Sequence, residues 1–293
     1  MRAYLLSFVF LCAIPVVYSQ QHGKVIEDAK VTSAVLGRSV HYTVYLPADY
    51  TLSQRAYPVV YLLHGYTDDN TGWLQFGEIN RYADKAIAEG TIPPMIIIMP
   101  DADSSWYINS YDGKEKYEDF FFKEFIPAVE KAYRIKSQKE YRAVAGLSMG
   151  GYGSLMYALK HPEYFAAAAP LSAAVFSDDE MENMPDAQWD RMFGQLYGRG
   201  LKGKARLTKA WYDHSALAII EKTSGAELNK VRYWIDCGDD DFLAKGNALL
   251  HIALRSKLVA HEYRVRDGAH SWSYWRTGIT DALAFIGDSF RRK

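Results

Sequence analysis

Short hydrophobic runs recur along the chain and predict a series of β-strands. Apolar and polar residues alternate over 39–46, which predicts an early, half-buried antiparallel strand. The continuous apolar run 58–63 instead indicates a strand that is covered on both faces. Four further runs also fit covered strands, because each is short and bounded by Gly, Pro or Asp. They are 94–99, 141–145, 165–171 and 231–236.

Segments with helical spacing lie between these runs. Apolar residues within 122–133 are three and four positions apart, and 149–160 and 245–258 also have helical patterns. Strands that alternate with helices favour a parallel sheet, because each crossover helix returns the chain to the same edge. The pattern therefore predicts an α/β fold with a mainly parallel central sheet flanked by helices. Ligands of such sheets bind at the carboxyl ends of the strands.

One segment, at about 173–214, interrupts this alternation. It is polar and rich in Met and Asp at first, and then basic and Gly-bearing over 198–206. Because it lies between two predicted strands, it is either a solvated surface excursion or a cap that shapes a substrate pocket. We expect a cap-like insertion within a single catalytic domain over 20–293, with the basic side chains of 202–206 serving to keep it solvated.

The first residues have the pattern of a secretory signal peptide. An arginine precedes an apolar run over 3–17, and small or modest side chains follow at 17–19, so we expect cleavage after Ser19 and a signal peptide over 1–19. The apolar run contains Pro15 and is shorter than the ~20 residues that span a bilayer. The mature chain is therefore expected to be secreted or periplasmic and to have no membrane span.

Composition and charge exclude several classes of protein. The chain has 293 residues, of which 49% are hydrophobic, with 34 Lys and Arg against 35 Asp and Glu. The hydrophobic content is too high for a disordered protein, and a formal charge of -1 lacks the basic surplus expected of a nucleic-acid binder. Cys12 lies in the predicted leader, so Cys237 is expected to be unpaired and to behave as a small apolar residue.

The sequence Gly146-Leu147-Ser148-Met149-Gly150 indicates a nucleophilic serine. It follows a predicted strand and precedes a predicted helix, and glycines permit the tight turn that presents a serine hydroxyl to a substrate. A bare pattern of five residues would also fit an ordinary Gly-rich turn. The position between strand and helix favours the nucleophile.

A serine nucleophile in such a sheet requires an acid and then a histidine, each after a later strand. Three consecutive aspartates at 239–241 follow one predicted strand, and each could be the acid. His270 follows the next strand-like segment and is the expected base. His251 falls inside a predicted helix and His261 at a strand start, so both are expected to be structural.

The negative oxygen of a tetrahedral intermediate must be met by preorganised N–H groups. The amide of Met149, directly after the nucleophile, is expected to supply one. The second is expected from Tyr66, because Gly65 lets the backbone turn inward after the first covered strand. His64 is expected to support this loop by packing.

These motifs together resemble the esterase family that includes secreted feruloyl and acetyl-xylan esterases (carbohydrate esterase family one), whose relatives are esterase D, S-formylglutathione hydrolase and the mycolyltransferases. The resemblance covers most of the mature chain. It rests on five motifs in register: Leu62-Leu63-His64-Gly65 with Trp73, Pro100-Asp101 before Ser105-Trp106-Tyr107, Gly146-Leu147-Ser148-Met149-Gly150-Gly151, Gly238-Asp239-Asp240-Asp241, and His270-Ser271-Trp272.

The resemblance implies an α/β-hydrolase fold, and it selects Asp241, at the fourth position of a Gly-x-x-Asp turn, as the acid. It also implies that Tyr66 and Met149 give the oxyanion amides. The expected reaction is hydrolysis of a carboxylic ester through an acyl-enzyme on Ser148, without a metal or organic cofactor. Aromatic residues near the expected site would either stack on an aromatic acyl group or sugar ring, or simply pack in the core. They are Trp73, Trp106, Tyr107, Trp272 and Tyr274.

The expected substrate is a feruloyl ester on plant xylan, presented as a small molecule or linked to the polysaccharide. Three alternatives remain open: an acetyl-xylan esterase with a narrower acyl pocket, an acyltransferase that shields its intermediate from water, and a carbohydrate-binding protein without catalytic activity. The complete set of Ser148, Asp241 and His270 speaks against the last. The sequence leaves the oligomeric state open.

Overall fold

The computed structural model describes residues 22–291, so the predicted signal peptide and its cleavage site lie outside the described residues. Eight strands form one sheet, numbered β1 (Lys24–Thr32), β2 (Ser39–Leu46), β3 (Val59–Leu63), β4 (Ile96–Pro100), β5 (Arg142–Leu147), β6 (Ala167–Leu171), β7 (Arg232–Gly238) and β8 (His261–Arg266). Their spatial order is β1-β2-β4-β3-β5-β6-β7-β8. The β1–β2 and β2–β4 pairs are antiparallel and all other pairs are parallel.

Helices connect the strands and cover both faces of the sheet. The α-helices are α1 (Gly72–Gln75), α2 (Ile79–Ala88), α3 (Tyr117–Phe120), α4 (Ile126–Ala132), α5 (Met149–Lys160), α6 (Asp178–Asn183), α7 (Asp186–Met192), α8 (Gly194–Tyr197), α9 (Lys209–Tyr212), α10 (Ala216–Lys222), α11 (Gly225–Leu228), α12 (Ala244–Ser256) and α13 (Trp272–Arg291). A π-helical turn, Phe121–Phe125, joins α3 to α4. None of the helices within 22–291 is long and apolar enough to cross a membrane.

The predicted α/β architecture with its mainly parallel sheet is confirmed. Strands β3 to β6 are buried along their whole length, apart from the half-buried Arg142 at the start of β5, as their continuous apolar runs predicted. Successive side chains along these strands point to opposite faces and belong to two hydrophobic clusters, one on each face of the sheet. The second strand, β2, is antiparallel as predicted but mostly buried instead of half-buried.

The segment between β6 and β7 is a compact cap with its own packed interior. It contains α6 to α11, and it buries Met181, Trp189, Phe193 and Trp211. The insertion is thus packed like a cap and is not a solvated excursion, whereas its expected role in shaping a substrate pocket stays a prediction. Short helices of this kind bury one or two large side chains each, which leaves the sequence between them polar.

The expected solvating role of the basic stretch is wrong for Arg206. This side chain is buried, and its guanidinium donates hydrogen bonds to the backbone carbonyls of Leu201 at 2.9 Å and Met181 at 3.1 Å. It also pairs with Asp186 and lies over the ring of Trp189. Because a guanidinium carries five N–H donors, a single arginine satisfies several carbonyl groups at the ends of short helices.

Candidate active site

The sheet order brings the ends of several parallel strands to one edge. Ser148 directly follows β5, Asp241 lies three residues after β7, and His270 lies four residues after β8. Because these strands run in the same direction, their carboxyl ends meet at the same edge of the sheet. The loop after β3, which carries Tyr66, reaches this edge as well.

Ser148 occupies a sharp turn between β5 and α5. Its backbone has φ 54° and ψ -115°, a conformation that a residue with a side chain rarely adopts. Two glycines make this turn possible because the chain packs closely on either side of it. A Cβ at Gly146 would lie 2.5 Å from the carbonyl oxygen of Gly150, and one at Gly150 would lie 2.4 Å from that of Leu63. The turn therefore pushes the serine hydroxyl out toward the pocket.

A chain of hydrogen bonds joins the three side chains. Nε2 of His270 lies 3.0 Å from Oγ of Ser148, and Nδ1 of His270 lies 2.9 and 3.0 Å from the two carboxyl oxygens of Asp241. An ionised carboxylate only accepts hydrogen bonds, so Nδ1 carries the proton and Nε2 presents its lone pair to the serine hydroxyl. This is the tautomer that a general base needs.

The carboxyl group of Asp241 is buried and well supplied with hydrogen bonds. Burial alone would raise its pKa, but hydrogen bonds from His270, the Leu243 amide and Ser172 together lower it below the usual range. The Leu243 amide lies 2.8 Å from Oδ1. Asp239 and Asp240 are exposed, and Asp239 accepts a hydrogen bond from the Gly268 amide at 3.0 Å, which ties the two loops together.

Aromatic side chains hold the imidazole of His270 in place. The ring of Phe242 lies 4.5 Å from it, and the ring of Trp275 meets it edge-on at 4.7 Å. Nε1 of Trp275 donates to Oγ of Ser172 at 3.0 Å, which leaves the Ser172 hydroxyl hydrogen for Asp241. The imidazole can therefore move a proton without losing its orientation.

Of the two residues expected to give oxyanion amides, Tyr66 lines the same pocket as the serine, and Met149 directly follows Ser148 in the chain. Met149 is the first residue of α5, so its N–H has no acceptor within the helix. Tyr66 lines a pocket of about 320 Å³ together with Ser148 and His270. Its hydroxyl donates to the carbonyl of Arg191 at 3.3 Å, which connects this loop to the cap.

His64 fixes the loop that carries Tyr66. Nε2 of His64 accepts a hydrogen bond from the Ala102 amide at 2.9 Å, and Nδ1 lies 2.8 Å from the Gly65 carbonyl. A ring that accepts at one nitrogen and donates at the other is neutral, so its 3.6 Å approach to Asp101 is not an ion pair. The buried histidine thus supports the loop by packing and hydrogen bonding, as expected.

Four of the aromatic residues expected at the substrate are too buried to touch one. Trp73, Trp106 and Tyr107 are 1%, 2% and 0% exposed. Trp73 donates to the Leu63 carbonyl and Tyr107 to the His64 carbonyl, so both brace the loop after β3 from behind. Tyr274 is also buried and donates to Asp236. Direct substrate contact by these residues is therefore corrected to a supporting role.

Trp272 is the expected aromatic residue that does line the pocket. Two residues that sequence reasoning missed, Asp68 and Ser172, also belong to this region. Both follow sheet strands at the carboxyl edge, and that position was the available signal. His251 and His261, by contrast, hydrogen-bond to each other at 2.8 Å on α12 and β8, in keeping with the structural role expected of them.

Comparison with known proteins places the chain among esterases. A family model described as "Putative esterase" matches residues 33–286. An esterase of Mycobacterium tuberculosis is 30% identical over 256 residues, which are 82% of this chain and 54% of that protein. An acetyl esterase of Caldicellulosiruptor saccharolyticus is 26% identical over 228 residues, which are 78% of this chain and 82% of that protein. The chain thus spans about half the length of the mycobacterial relative.

A solved ferulic acid esterase has the same fold. It superposes with a TM-score of 0.77 at 32% sequence identity, over 92% of this chain and 99% of its own. The eight-stranded, mostly parallel sheet flanked by helices is therefore the α/β-hydrolase fold of these esterases. Since the family match extends over most of its length, the chain belongs to the Esterase family.

Proposed function

We propose that this chain is a serine carboxylic-ester hydrolase in which Ser148 is the nucleophile, His270 the general base and Asp241 the group that orients the imidazole. The observation that carries this proposal is the hydrogen-bonded chain from Ser148 through His270 to Asp241 at the wall of an open pocket. An acid, a base and a nucleophile in this order are what acyl transfer to serine requires.

The reaction has two halves. The Ser148 hydroxyl attacks the ester carbonyl while Nε2 of His270 takes its proton, and the amides of Tyr66 and Met149 receive the negative oxygen. The intermediate collapses when His270 gives the proton to the leaving alcohol, which leaves an acyl-enzyme on Ser148. Water then attacks the acyl carbon while His270 takes its proton, and the second intermediate collapses when His270 returns that proton to Oγ of Ser148, which releases the acid. Asp241 stabilises the imidazolium that forms in each half.

The acyl group that we propose is feruloyl, carried on plant xylan. The likeness to a ferulic acid esterase supports this choice. Acetyl is the second candidate. The acetyl esterase relative supports it, and so does the burial of Trp73, Trp106 and Tyr107, since fewer aromatic faces remain for an aromatic acid than expected.

The test is kcat/KM on methyl ferulate beside a simple acetyl ester, with Ser148→Ala as the blank. Preference for ferulate supports the feruloyl assignment, and preference for acetate supports deacetylation. A fluorophosphonate reagent should label the wild type and fail to label Ser148→Ala. Equal labelling of the two proteins, or turnover of either ester by the variant, would overturn the role of Ser148.

A further inference from the structure

Asp68 is a carboxyl group in the pocket that the proposed mechanism does not use. It lines the same pocket as Ser148 and His270, although Asp241 already fills the role of the acid. Its carboxyl packs against Gly72, where an added Cβ would lie 2.5 Å from both oxygens, so the carboxyl is held close to the backbone. Burial raises the pKa of Asp68. Within 22–291 it accepts from the Asp69 amide, and no side chain donates to it.

Trp272 and Phe76 form an aromatic surface, here called the aromatic shelf, at the pocket that Asp68 also lines. The half-buried ring of Trp272 lines the pocket, and the ring of Phe76, which is 49% exposed, lies 5.8 Å from it at an angle of 38°. Trp73 and Trp275 meet Trp272 edge-on at 5.2 and 5.5 Å, so the shelf is braced from two sides. A rigid aromatic surface that continues from the pocket to the outside of the molecule is suited to a flat, partly apolar ligand.

The position of the shelf indicates which half of the ester it serves. Trp272 is two residues after His270, the group that returns a proton to the leaving alcohol. The alcohol oxygen must approach Nε2 of His270, so the alcohol half passes the Trp272 side of the pocket. A sugar ring offers C–H groups for an aromatic face and hydroxyl donors for a carboxyl acceptor.

We propose that Asp68, Trp272 and Phe76 form a subsite for a neutral sugar ring, the alcohol half of the ester. This inference rests on the proposed function and names the substrate class of the same site. Asp68 accepts hydrogen bonds from sugar hydroxyls while the ring packs on Trp272 and Phe76. The carboxyl group disfavours sugars that carry a carboxylate, because two like charges would meet in a partly buried site.

The test compares two esters of the same acid, the methyl ester and the ester with the primary hydroxyl of arabinofuranose. The variants are Asp68→Ala, Asp68→Asn and Phe76→Ala. Asp288→Asn, on the exposed end of α13, and the exposed Leu52→Ala are matched controls. We expect the ratio of sugar-ester to methyl-ester kcat/KM to fall about tenfold or more in Asp68→Ala, which is the size of a lost hydrogen bond to a charged group.

Asp68→Asn keeps one carbonyl acceptor and should recover part of this loss, and Phe76→Ala should lower the ratio by about threefold or more. Both controls should keep the wild-type ratio. A ratio that stays at the wild-type value in all three variants would overturn the subsite, and so would equal losses on both esters, because the groups would then act on the common chemistry.

A binding measurement separates this proposal from the proposed function. Ser148→Ala is titrated with an arabinose-substituted xylo-oligosaccharide that carries no acyl group, and tryptophan fluorescence is recorded. We expect saturable quenching that Asp68→Ala or Phe76→Ala weakens in the same background. If the wild type hydrolyses neither ester but this binding pattern holds, the subsite stands and the catalytic proposal fails. If the wild type hydrolyses the esters but quenching is the same with and without the two substitutions, the subsite proposal is wrong and the catalytic proposal stands.

Discussion

Asp241 differs from its two acidic neighbours in burial and in its bond to His270. In Asp241→Asn the side-chain amide can donate to Nδ1 of His270, which favours the tautomer with the proton on Nε2. That nitrogen can then no longer accept the Ser148 proton. We therefore expect kcat/KM to fall about 10³- to 10⁴-fold, mainly through kcat, in steady-state assays on the preferred ester.

Asp240→Asn is the matched control, because Asp240 is the adjacent residue and is exposed. It should retain kcat/KM within about twofold, since it does not touch the imidazole. A loss in Asp240→Asn as large as that in Asp241→Asn would show that the charge of the loop matters and not the bond to Nδ1.

The residues of the site differ in how far the sequence could predict them. Ser148 and His270 could be predicted from their order in the chain and from their positions after strands, because the local pattern of apolar residues shows where those strands end. Asp241 could be chosen among three adjacent acids only through the family resemblance, because burial decides between them and depends on distant packing. Trp73 and Tyr107 were misassigned for the same reason: a position near a loop does not tell which face a ring turns to.

The elements that the sequence predicted best are the buried strands, whose continuous apolar runs have few other interpretations. Strand β1 was not predicted, because it is an edge strand with mostly exposed or half-buried residues and an irregular register between Ile26 and Ala29. The cap helices were also missed, although Ser177 and Glu180 form a capping box that starts α6. The capping box can be recognised in the sequence, but helices of four to seven residues are too short to show the helical spacing of apolar residues that would support a prediction.

Glu118 joins two of these elements, α3 and the carboxyl-terminal end of α5. Its buried carboxyl contacts Lys160 at 2.7 Å and His161 at 2.8 Å. Burial alone would raise its pKa, but these partners lower the pKa from 4.5 to about 2. The pKa of Glu118 is lower in the folded protein than in the unfolded chain. Glu118 therefore stabilises the fold above about pH 4.5, and this contribution is lost as the pH falls toward 2.

Glu118→Gln should therefore lower the free energy of unfolding at pH 7 by up to about 3 kcal/mol. The difference from the wild type should shrink below about pH 4.5 and be small at pH 2, where the Glu118 carboxyl of the folded protein is about half protonated. Guanidinium unfolding followed across this range measures it. The pair of the half-buried Asp119 with the exposed Lys123 provides the control, because Asp119→Asn should cost less than about 1 kcal/mol at every pH. A Glu118→Gln difference that does not depend on pH would contradict the assignment.

The completed site depends on contacts between distant parts of the chain. The loops after β3, β5, β6, β7 and β8 each contribute a group, and the sheet brings them together. Cys237 lies near the carboxyl end of β7, where it is free and buried. Burial raises the pKa of its thiol to about 12, so almost no thiolate is present near neutral pH. The thiol is thus a reporter of global unfolding placed next to the loop that carries Asp241.

This reporter also tests the predicted removal of residues 1–19, which would leave Cys237 as the single cysteine of the processed chain. If residues 1–19 are removed, we expect the native protein purified from its own cells to react negligibly with a disulfide reagent such as DTNB at pH 8 and to release one equivalent of thiolate in guanidinium. Its intact mass should correspond to a chain that begins at Gln20. Cys237→Ala should release none under either condition. Two equivalents on unfolding would mean that Cys12 is retained, and rapid reaction of the native protein would contradict the buried environment that β7 and its neighbours give to this thiol.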